Sequence, residues 1–426
     1  MTSGQTLSRR RGRSGRWGIS LLAVIGLAAT AGMADAAVLT SGELRTWGVQ
    51  TANEIDAKLR VPGTSLYAET ANLNGTRSGG VNNRSFVWPA STQFRVLNMM
   101  ARLFPATQTT PLKSFSDSLF NSYWSSTNGY RSDVNGGAKF YDDNAHVVVA
   151  LAEAYRVTGN TVYLDRAKAT QAFVMSGEDT AAGGGIYFRQ GLTDSKDTIS
   201  TLQGARGAAM LYNITGQQSY LTDALRLNLW AKTHVQQSNG LFAQGYVIAT
   251  SQPGGVDIVN SAGDAISLNL ELYKATNLSV YLNEAKRIAN ASLGRYIDGS
   301  TGALGDEGYW AYELADGLAN LSTADPQGVW LTKLSTALEW LHTNKQDPNG
   351  HYGLFWGRNG PQVGTLGSWN LNEQAAVARA YLYTSTVVPE PTVVGLAVFG
   401  VGLLSRRQRP SGDCSLGGSK GNSTRA

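Results

Sequence analysis

A chain of 426 residues, 42% hydrophobic and only 16% charged, has ample material for a packed core and is not a disordered polymer. Its formal net charge of +5 invites a nucleic-acid reading. The excess sits at the two ends, however: residues 37–388 hold 26 basic and 28 acidic side chains, a net of −2, so no basic stripe supports nucleic-acid binding.

The N-terminus reads as a targeting segment. Arg9, Arg10, Arg11, Arg13 and Arg16 form a positive region, and Ile19 to Ala29 form an apolar stretch too short to span a bilayer comfortably. Ala34-Asp35-Ala36 then offers a small-residue cleavage site. The three together predict a secretory signal peptide over 1–36 and a mature chain from Ala37.

Helical patterns follow over 41–60, 88–104 and 111–126. The chain then repeats itself. Ala154-Tyr155-Arg156-Val157-Thr158-Gly159-Asn160 leads to Tyr163-Leu164; Leu211-Tyr212-Asn213-Ile214-Thr215-Gly216-Gln217 leads to Tyr220-Leu221; Leu272-Tyr273-Lys274-Ala275-Thr276-Asn277 leads to Tyr281-Leu282. The three leading tyrosines are 57 and 61 residues apart. Each unit reads as helix, tight turn, helix, because Gly and Asn accept the left-handed conformation that ends a helix. The helix before the turn is apolar nearly all round, as in Ala145 to Ala152, and so is expected to be buried on both sides. The helix after it is amphipathic, with Asp165, Arg166 and Lys168 on its outer face.

Further helices are expected over 307–321, 326–345 and 367–385, which makes twelve. A period near 59 divides residues 37–388 into about six hairpins. The predicted fold is all-α: an (α/α)6 barrel over 37–387, with 142–157, 198–213 and 261–275 lining the inner ring. An open superhelix is the alternative.

In such a barrel the loops before the inner helices build one cleft, and here they are rich in Gly and aromatic residues. Phe140-Tyr141-Asp142-Asp143 opens one inner helix, Gly183-Gly184-Gly185-Ile186-Tyr187-Phe188 precedes the next, Asp306-Glu307-Gly308-Tyr309-Trp310 opens another, and His351 to Trp356 and Gly367-Ser368-Trp369-Asn370 precede the last. Flat aromatic faces suit the apolar faces of sugar rings. Adjacent carboxylates at Asp142 and Asp143 repel, so one keeps its proton to higher pH than an isolated Asp. One ionised and one protonated carboxyl is what glycoside hydrolysis requires. Helix capping explains an Asp-Asp pair at a helix start equally well.

The run from Phe140 to about Asp298 resembles glycoside hydrolase family 76, the endo-α-1,6-mannanases. The likeness rests on the Asp-Asp opening an inner helix, the Gly-Gly-Gly-Ile loop with Tyr187 and Phe188 in place of two tryptophans, a following Lys at Lys196, and the Leu-Tyr-x-x-Thr-Gly repeats. Two departures stand out. Asn144, Ala145 and His146 follow the pair where the family has bulky aromatics, and Asn260-Ser261-Ala262-Gly263 keeps only the Gly of a Tyr-Asn-Gln-Gly motif. The resemblance implies a retaining mechanism with neither metal nor cofactor, with Asp142 as nucleophile and Asp143 as acid/base. Tyr141, Tyr187, Phe188, Lys196, Trp310, Trp356 and Trp369 are the expected substrate contacts, and a polysaccharide is the expected partner.

Other features are open to blander readings. Asp306 and Glu307 could be the acids or a capping pair. His146 reads as a core histidine more readily than a catalytic one. Trp88, Trp356 and Trp369 could be sugar platforms or core. The four histidines, His146, His234, His342 and His351, show no metal-ligand spacing. Two other functions remain open on the same scaffold: a catalytically idle carbohydrate-binding or matrix protein, and another sugar enzyme such as an unsaturated uronyl hydrolase or an epimerase.

The chain closes on Val388-Pro389-Glu390-Pro391, an apolar run from Thr392 to Leu404, and Arg406-Arg407. This order resembles the PEP-CTERM sorting signal, which implies export and transient anchoring in the inner membrane by residues 388–426, with envelope sorting machinery as a partner. The one cysteine, Cys414, lies beyond that run, so the folded part has neither disulfide nor thiolate chemistry. If both ends are processed, mass spectrometry of the native protein will find an N-terminus near Ala37 and a membrane-bound form that still carries the segment after Val388. An intact N-terminus retaining Arg9 to Arg16 would refute the export reading.

Overall fold

A computed structural model describes residues 39–357 and 366–390. The signal-peptide segment and the apolar run after Pro391 lie outside them. Twelve α-helices are present among the described residues: α1 (Ser41–Leu59), α2 (Val87–Leu103), α3 (Pro105–Tyr123), α4 (Tyr141–Thr158), α5 (Thr161–Met175), α6 (Thr198–Thr215), α7 (Gln218–His234), α8 (Val259–Thr276), α9 (Ser279–Tyr296), α10 (Gly308–Ala324), α11 (Trp330–Lys345) and α12 (Leu371–Ser385). No described helix is long and apolar enough to cross a membrane.

The even-numbered helices pack in chain order, α2 on α4, then α6, α8, α10 and α12, and α12 packs back on α2. That closure makes a barrel and removes the open superhelix. Each inner helix carries one outer helix: α3, α5, α7, α9 and α11 follow their partners, and α1 lies on α12. The three inner segments expected from the repeats are α4, α6 and α8, each buried at nearly every position of its first three turns and beyond. Outer α1 buries one stripe, Leu44, Thr51, Ala52, Ile55 and Leu59, at helical spacing. The predicted turns form as the residue types require. Gly159, Gly216 and Asn277 take left-handed φ values of 69°, 69° and 57°. Their N–H groups donate to the carbonyls of Tyr155, Tyr212 and Tyr273 at 2.8, 2.7 and 2.8 Å.

Two expectations need correction. Helix α3 begins at Pro105 and not at residue 111, because a proline at the first helical position loses only an N–H that has no partner there. The loops are also not wholly irregular. They hold two small antiparallel sheets: β1 (Thr70–Asn72) between β2 (Arg77–Ser78) and β7 (Ser368–Asn370), and the ribbon β3 (Ile186–Tyr187), β4 (Ser195–Asp197), β5 (Gly245–Val247), β6 (Gln252–Gly254). Residues 368–370 therefore form a strand, and α12 starts only at Leu371.

The barrel axis is polar. Arg95 of α2 donates to Glu313 of α10 at 3.1 Å, to Asp316 of α10 at 2.5 Å and to Glu153 of α4 at 2.9 Å. Arg379 of α12 reaches Glu153 and Asp316, both at 2.9 Å. Arg206 of α6 reaches Asp264 of α8 and Glu313, both at 3.2 Å. Burial opposes ionisation of Glu153, but Arg379 and Arg95 outweigh it and hold its pKa at about 2. Asp264 goes the other way: burial and then the Glu313 charge raise it well above its usual range. Four acids thus share three guanidiniums along the axis.

Helices α8 and α10 touch backbone to backbone. A Cβ added at Gly263 would lie 2.2 Å from the carbonyl carbon of Glu313, and one at Gly317 would lie 2.9 Å from the carbonyl oxygen of Gly263. Neither position has room for a side chain. Gly263→Ala should cost at least about 2 kcal/mol of stability through overpacking that no rotamer can relieve. Urea unfolding checks this, and a variant as stable as the parent would rule out the close approach.

Candidate active site

The N-termini of all six inner helices open on one end of the barrel. There they surround a cavity of about 770 Å³. Asp142, Asp143 and His146 of α4 face it, as do Trp88 at the start of α2, Asp197 and Ile199 at the start of α6, Ile258 and Asn260 at α8, Tyr309 and Trp310 at α10, and Asn372 at α12. Loops add Glu69, Phe86, Asp133, Phe140, Phe188 and Gln244.

Local geometry fixes the Asp pair. The N-cap of α4 is Phe140, whose side chain caps nothing, so neither Asp serves as the cap residue. Asn144, one residue past the pair, accepts from the Tyr130 N–H at 2.7 Å and donates to the carbonyls of Tyr130 and Phe140 at 3.0 and 2.7 Å. The polar residue that stands where the family has an aromatic thus ties the preceding loop to the helix start. On the other side the Tyr141 N–H donates to the Phe188 carbonyl at 2.8 Å, and the Gln190 N–H to the Lys139 carbonyl at 3.0 Å, clamping the β3 loop beside the pair.

Burial raises the pKa of both aspartates. Asp143, only 9% exposed, is pushed up to about 7. Asp142 rises well above its ordinary value through burial, then through the charges of Asp143 and Asp197. One buried Asp142 oxygen, Oδ1, has no hydrogen-bond partner. Asp197 is the N-cap of α6 and accepts from the Ser200 N–H at 2.7 Å and from its hydroxyl at 2.8 Å. The pair therefore holds at least one proton at neutral pH, and the added field of Asp197 puts it on Asp142.

His146 forms the floor. It is 4% exposed, and its Nδ1 lies 3.3 Å from Gln203 Nε2 and 3.6 Å from Glu313 Oε1. Burial pushes its pKa down to about 4, so the ring is neutral. It is a packed histidine, as the sequence suggests, and it also links the cavity to the charged axis.

Of the side chains expected at the substrate, Asp142, Asp143, Phe188 and Trp310 line the cavity; Tyr141, Tyr187, Lys196, Trp356 and Trp369 do not. The reasons are geometric. Tyr141 is one residue before the pair, about 100° round the helix, and it stacks on Phe173 of outer α5 at 5.0 Å. Strand alternation turns three others away. Tyr187 points opposite to Phe188, Lys196 opposite to Asp197, and Trp369 opposite to Asn370. Tyr187 and Lys196 meet behind the wall, with Lys196 Nζ 3.4 Å above the Tyr187 ring and 2.7 Å from Asp179 Oδ1, and the Tyr187 hydroxyl donating to Asp179 Oδ2 at 2.8 Å. Trp369 packs on His351. Trp356 fills the space that Gly308 leaves open and is 1% exposed.

The sequence reading missed Asp197, Glu69, Asp133 and the amides of Gln244 and Asn372, and it named Tyr309 and Asn260 only as parts of a loop and a motif. Strands of two or three residues show too little alternation in the sequence to tell that Asp197, and not Lys196, faces the cavity. Trp88, Tyr309 and Trp310 form one aromatic wall, with edge contacts of 5.3 and 5.1 Å, and Phe140 meets Phe188 at 5.1 Å across from it. The alternative acids are occupied structurally. Asp306, at φ 90°, accepts from the N–H groups of Glu307 at 2.8 Å and Val259 at 3.3 Å, and Glu307 accepts from the Tyr309 hydroxyl.

Known structures share this arrangement of helices. A family 76 α-mannanase from Bacteroides thetaiotaomicron is 28% identical, with a TM-score of 0.74 over 80% of this chain and 95% of that one. An α-1,6-mannanase from a Salegentibacter species has the same fold at 17% identity, with a TM-score of 0.69 over 81% of this chain and 99% of that one. An inactive variant of that enzyme, with two consecutive aspartates changed to asparagine, forms a complex with α-1,6-mannotriose; it is 17% identical, with a TM-score of 0.67 over 81% of this chain and 99% of that one. No curated protein matches the sequence. The model of glycosyl hydrolase family 76 matches residues 61–384. With that match running from just after α1 almost to the end of α12, the chain belongs to glycosyl hydrolase family 76 and is a glycoside hydrolase.

Proposed function

We propose that this hydrolase cleaves an α-1,6-mannan backbone by a retaining, two-carboxylate mechanism, with Asp142 as nucleophile and Asp143 as acid/base. The observation that carries the reading is the juxtaposition of these two buried acids on one cavity wall between aromatic faces. The mannanase relatives support the substrate, and the Salegentibacter variant supports the dependence on two consecutive aspartates.

In the first step an Asp142 oxygen attacks the anomeric carbon while Asp143 protonates the departing glycosidic oxygen. In the second, Asp143 takes a proton from water, and that water displaces Asp142. The free site favours the proton on Asp142. A bound sugar brings the partial positive charge of its anomeric carbon against Asp142, which favours the carboxylate there and passes the proton to Asp143. His146, neutral, supplies no charge to compete with this exchange. The sequence of the two ends supports export, with residues 1–36 removed and the PEP-CTERM-like segment tethering the enzyme to the inner membrane for delivery to the periplasm, surface or matrix.

Asp143→Asn should lose about 10²- to 10⁴-fold on mannan, whereas an aryl mannoside whose leaving group needs no proton should still release its aryl group in a burst, with only the later water step slowed. Asp142→Asn should lose turnover on both. Near-normal activity of Asp142→Asn on both substrates would end the hydrolytic assignment of the pair. NMR of the first product should show the α anomer.

The pH profile of kcat/KM should rise through about 7, where the pair first ionises and Asp143 loses its proton. It should fall again at higher pH as Asp142 loses the second. Asp197→Asn removes a negative charge that holds the proton on Asp142, so the alkaline limb should move to lower pH. Asn keeps the helix cap. An unmoved limb would show that Asp197 does not act on the pair.

A further inference from the structure

The wall of the active-site cavity carries two more acids than the proposed mechanism uses, beyond the helix cap Asp197. Glu69 sits in the loop before β1 and Asp133 in the loop before α4, and both line the cavity. Each has a local donor: the Phe86 N–H donates to Glu69 at 3.1 Å and the Ser132 hydroxyl to Asp133 at 3.0 Å. Among the described residues, no Lys or Arg lines the cavity. Two buried lysines close to the wall have their ammonium groups held elsewhere, Lys139 on the carbonyl and hydroxyl of Thr127 and Lys196 on Asp179. A second and independent feature is Asn372. It is 3% exposed, lines the same cavity, and its Oδ1 has no hydrogen-bond partner.

We infer that this cavity is a charge filter: it takes hydroxyl-rich, uncharged glycan chains and turns away chains carrying sulfate, phosphate or carboxylate groups, with Glu69 and Asp133 setting the exclusion. The inference rests on the reading that α-1,6-mannan is cut here. Two physical arguments meet in it. Carboxylates and the free Asn372 oxygen accept hydrogen bonds, and sugar hydroxyls donate them, whereas an ionised sulfate or carboxylate has no proton to give. A concave wall of one charge sign also focuses its field into the space it encloses. Glu69 feels that field itself, since burial and then the Asp133 charge raise its pKa. A uronyl chain would need a cation at this wall to pair with its carboxylate, which argues against the uronyl hydrolase alternative.

The test uses the purified full chain and three substrates: α-1,6-mannan, the same mannan partially sulfated, and the same mannan acetylated to an equal degree. Acetyl groups supply bulk without charge. The sulfated polymer should be cut at least about tenfold more slowly than the acetylated one. Glu69→Gln with Asp133→Asn, which keep the acceptor atoms, should narrow that gap by roughly threefold for each carboxylate removed. High salt should narrow it in the unmodified enzyme, a measurement that stands even where the double variant does not fold. Equal rates on the sulfated and acetylated polymers would overturn the filter. So would a gap that neither salt nor the substitutions change, since bulk alone would then explain it. Failure to cut unmodified mannan would instead overturn the proposed function.

Discussion

The barrel depends on one buried network of charge. Arg95, Glu153, Arg206, Asp264, Glu313 with Asp316, and Arg379 come from α2, α4, α6, α8, α10 and α12 in turn, so every inner helix contributes. Apolar packing between two helices tolerates small rotations. A guanidinium that must satisfy carboxylates on two other helices does not, and removing one partner of such a set typically costs about 3–5 kcal/mol. The network fixes the rotation of each inner helix about its own axis. That rotation decides which residues of the first turn face the cavity.

The arrangement also separates two kinds of charge. Near the axis the acids are paired, and Arg379 and Arg95 hold Glu153 at about 2. Nearer the helix N-termini, and nearly three turns away along α4, no Lys or Arg among the described residues lines the space around the acids, and burial carries Asp143 to about 7. Both Glu153 and Asp143 belong to α4, ten residues apart. The backbone N–H groups at the six helix starts favour negative charge at that end, which lets several acids share one space. His146 and Gln203 stand between the two layers and join them.

Much of this was legible in the sequence. The spaced tyrosines with their Thr-Gly and Thr-Asn turns carried the hairpin repeat, and the contrast between all-apolar and amphipathic helices carried the inner and outer layers. Asp142 and Asp143 could be singled out only with the family resemblance beside them, because a helix cap explains an Asp-Asp pair equally well. Orientation was harder to read. Tyr187, Lys196 and Trp369 belong to strands of two or three residues, too short for any alternation to be visible, and each turned out to sit on the far side from Phe188, Asp197 and Asn370. The charged axis was hidden for a different reason. Arg95, Arg206 and Arg379 lie far apart in sequence on inner helices buried at nearly every position, and only closure of the ring brings them together.

That closure has a kinetic side. The pairings α1 with α12 and α12 with α2 join the two ends of the described chain, and Ser41 and Arg45 reach Glu390 at 2.6 and 3.3 Å. They are the contacts of greatest sequence separation, whose loop-closure entropy comes due before they repay it. Hairpins such as α4–α5 and α6–α7 can form from neighbours alone. The ring cannot, because Arg379 on the last helix is the counter-ion of Glu153 and Asp316. A partly assembled ring therefore carries two acids with one partner missing, and these stay hydrated until α12 docks. Desolvation of the axis and completion of the barrel are then a single late event, which makes the last helix the gate through which the chain passes from a string of hairpins to an enzyme.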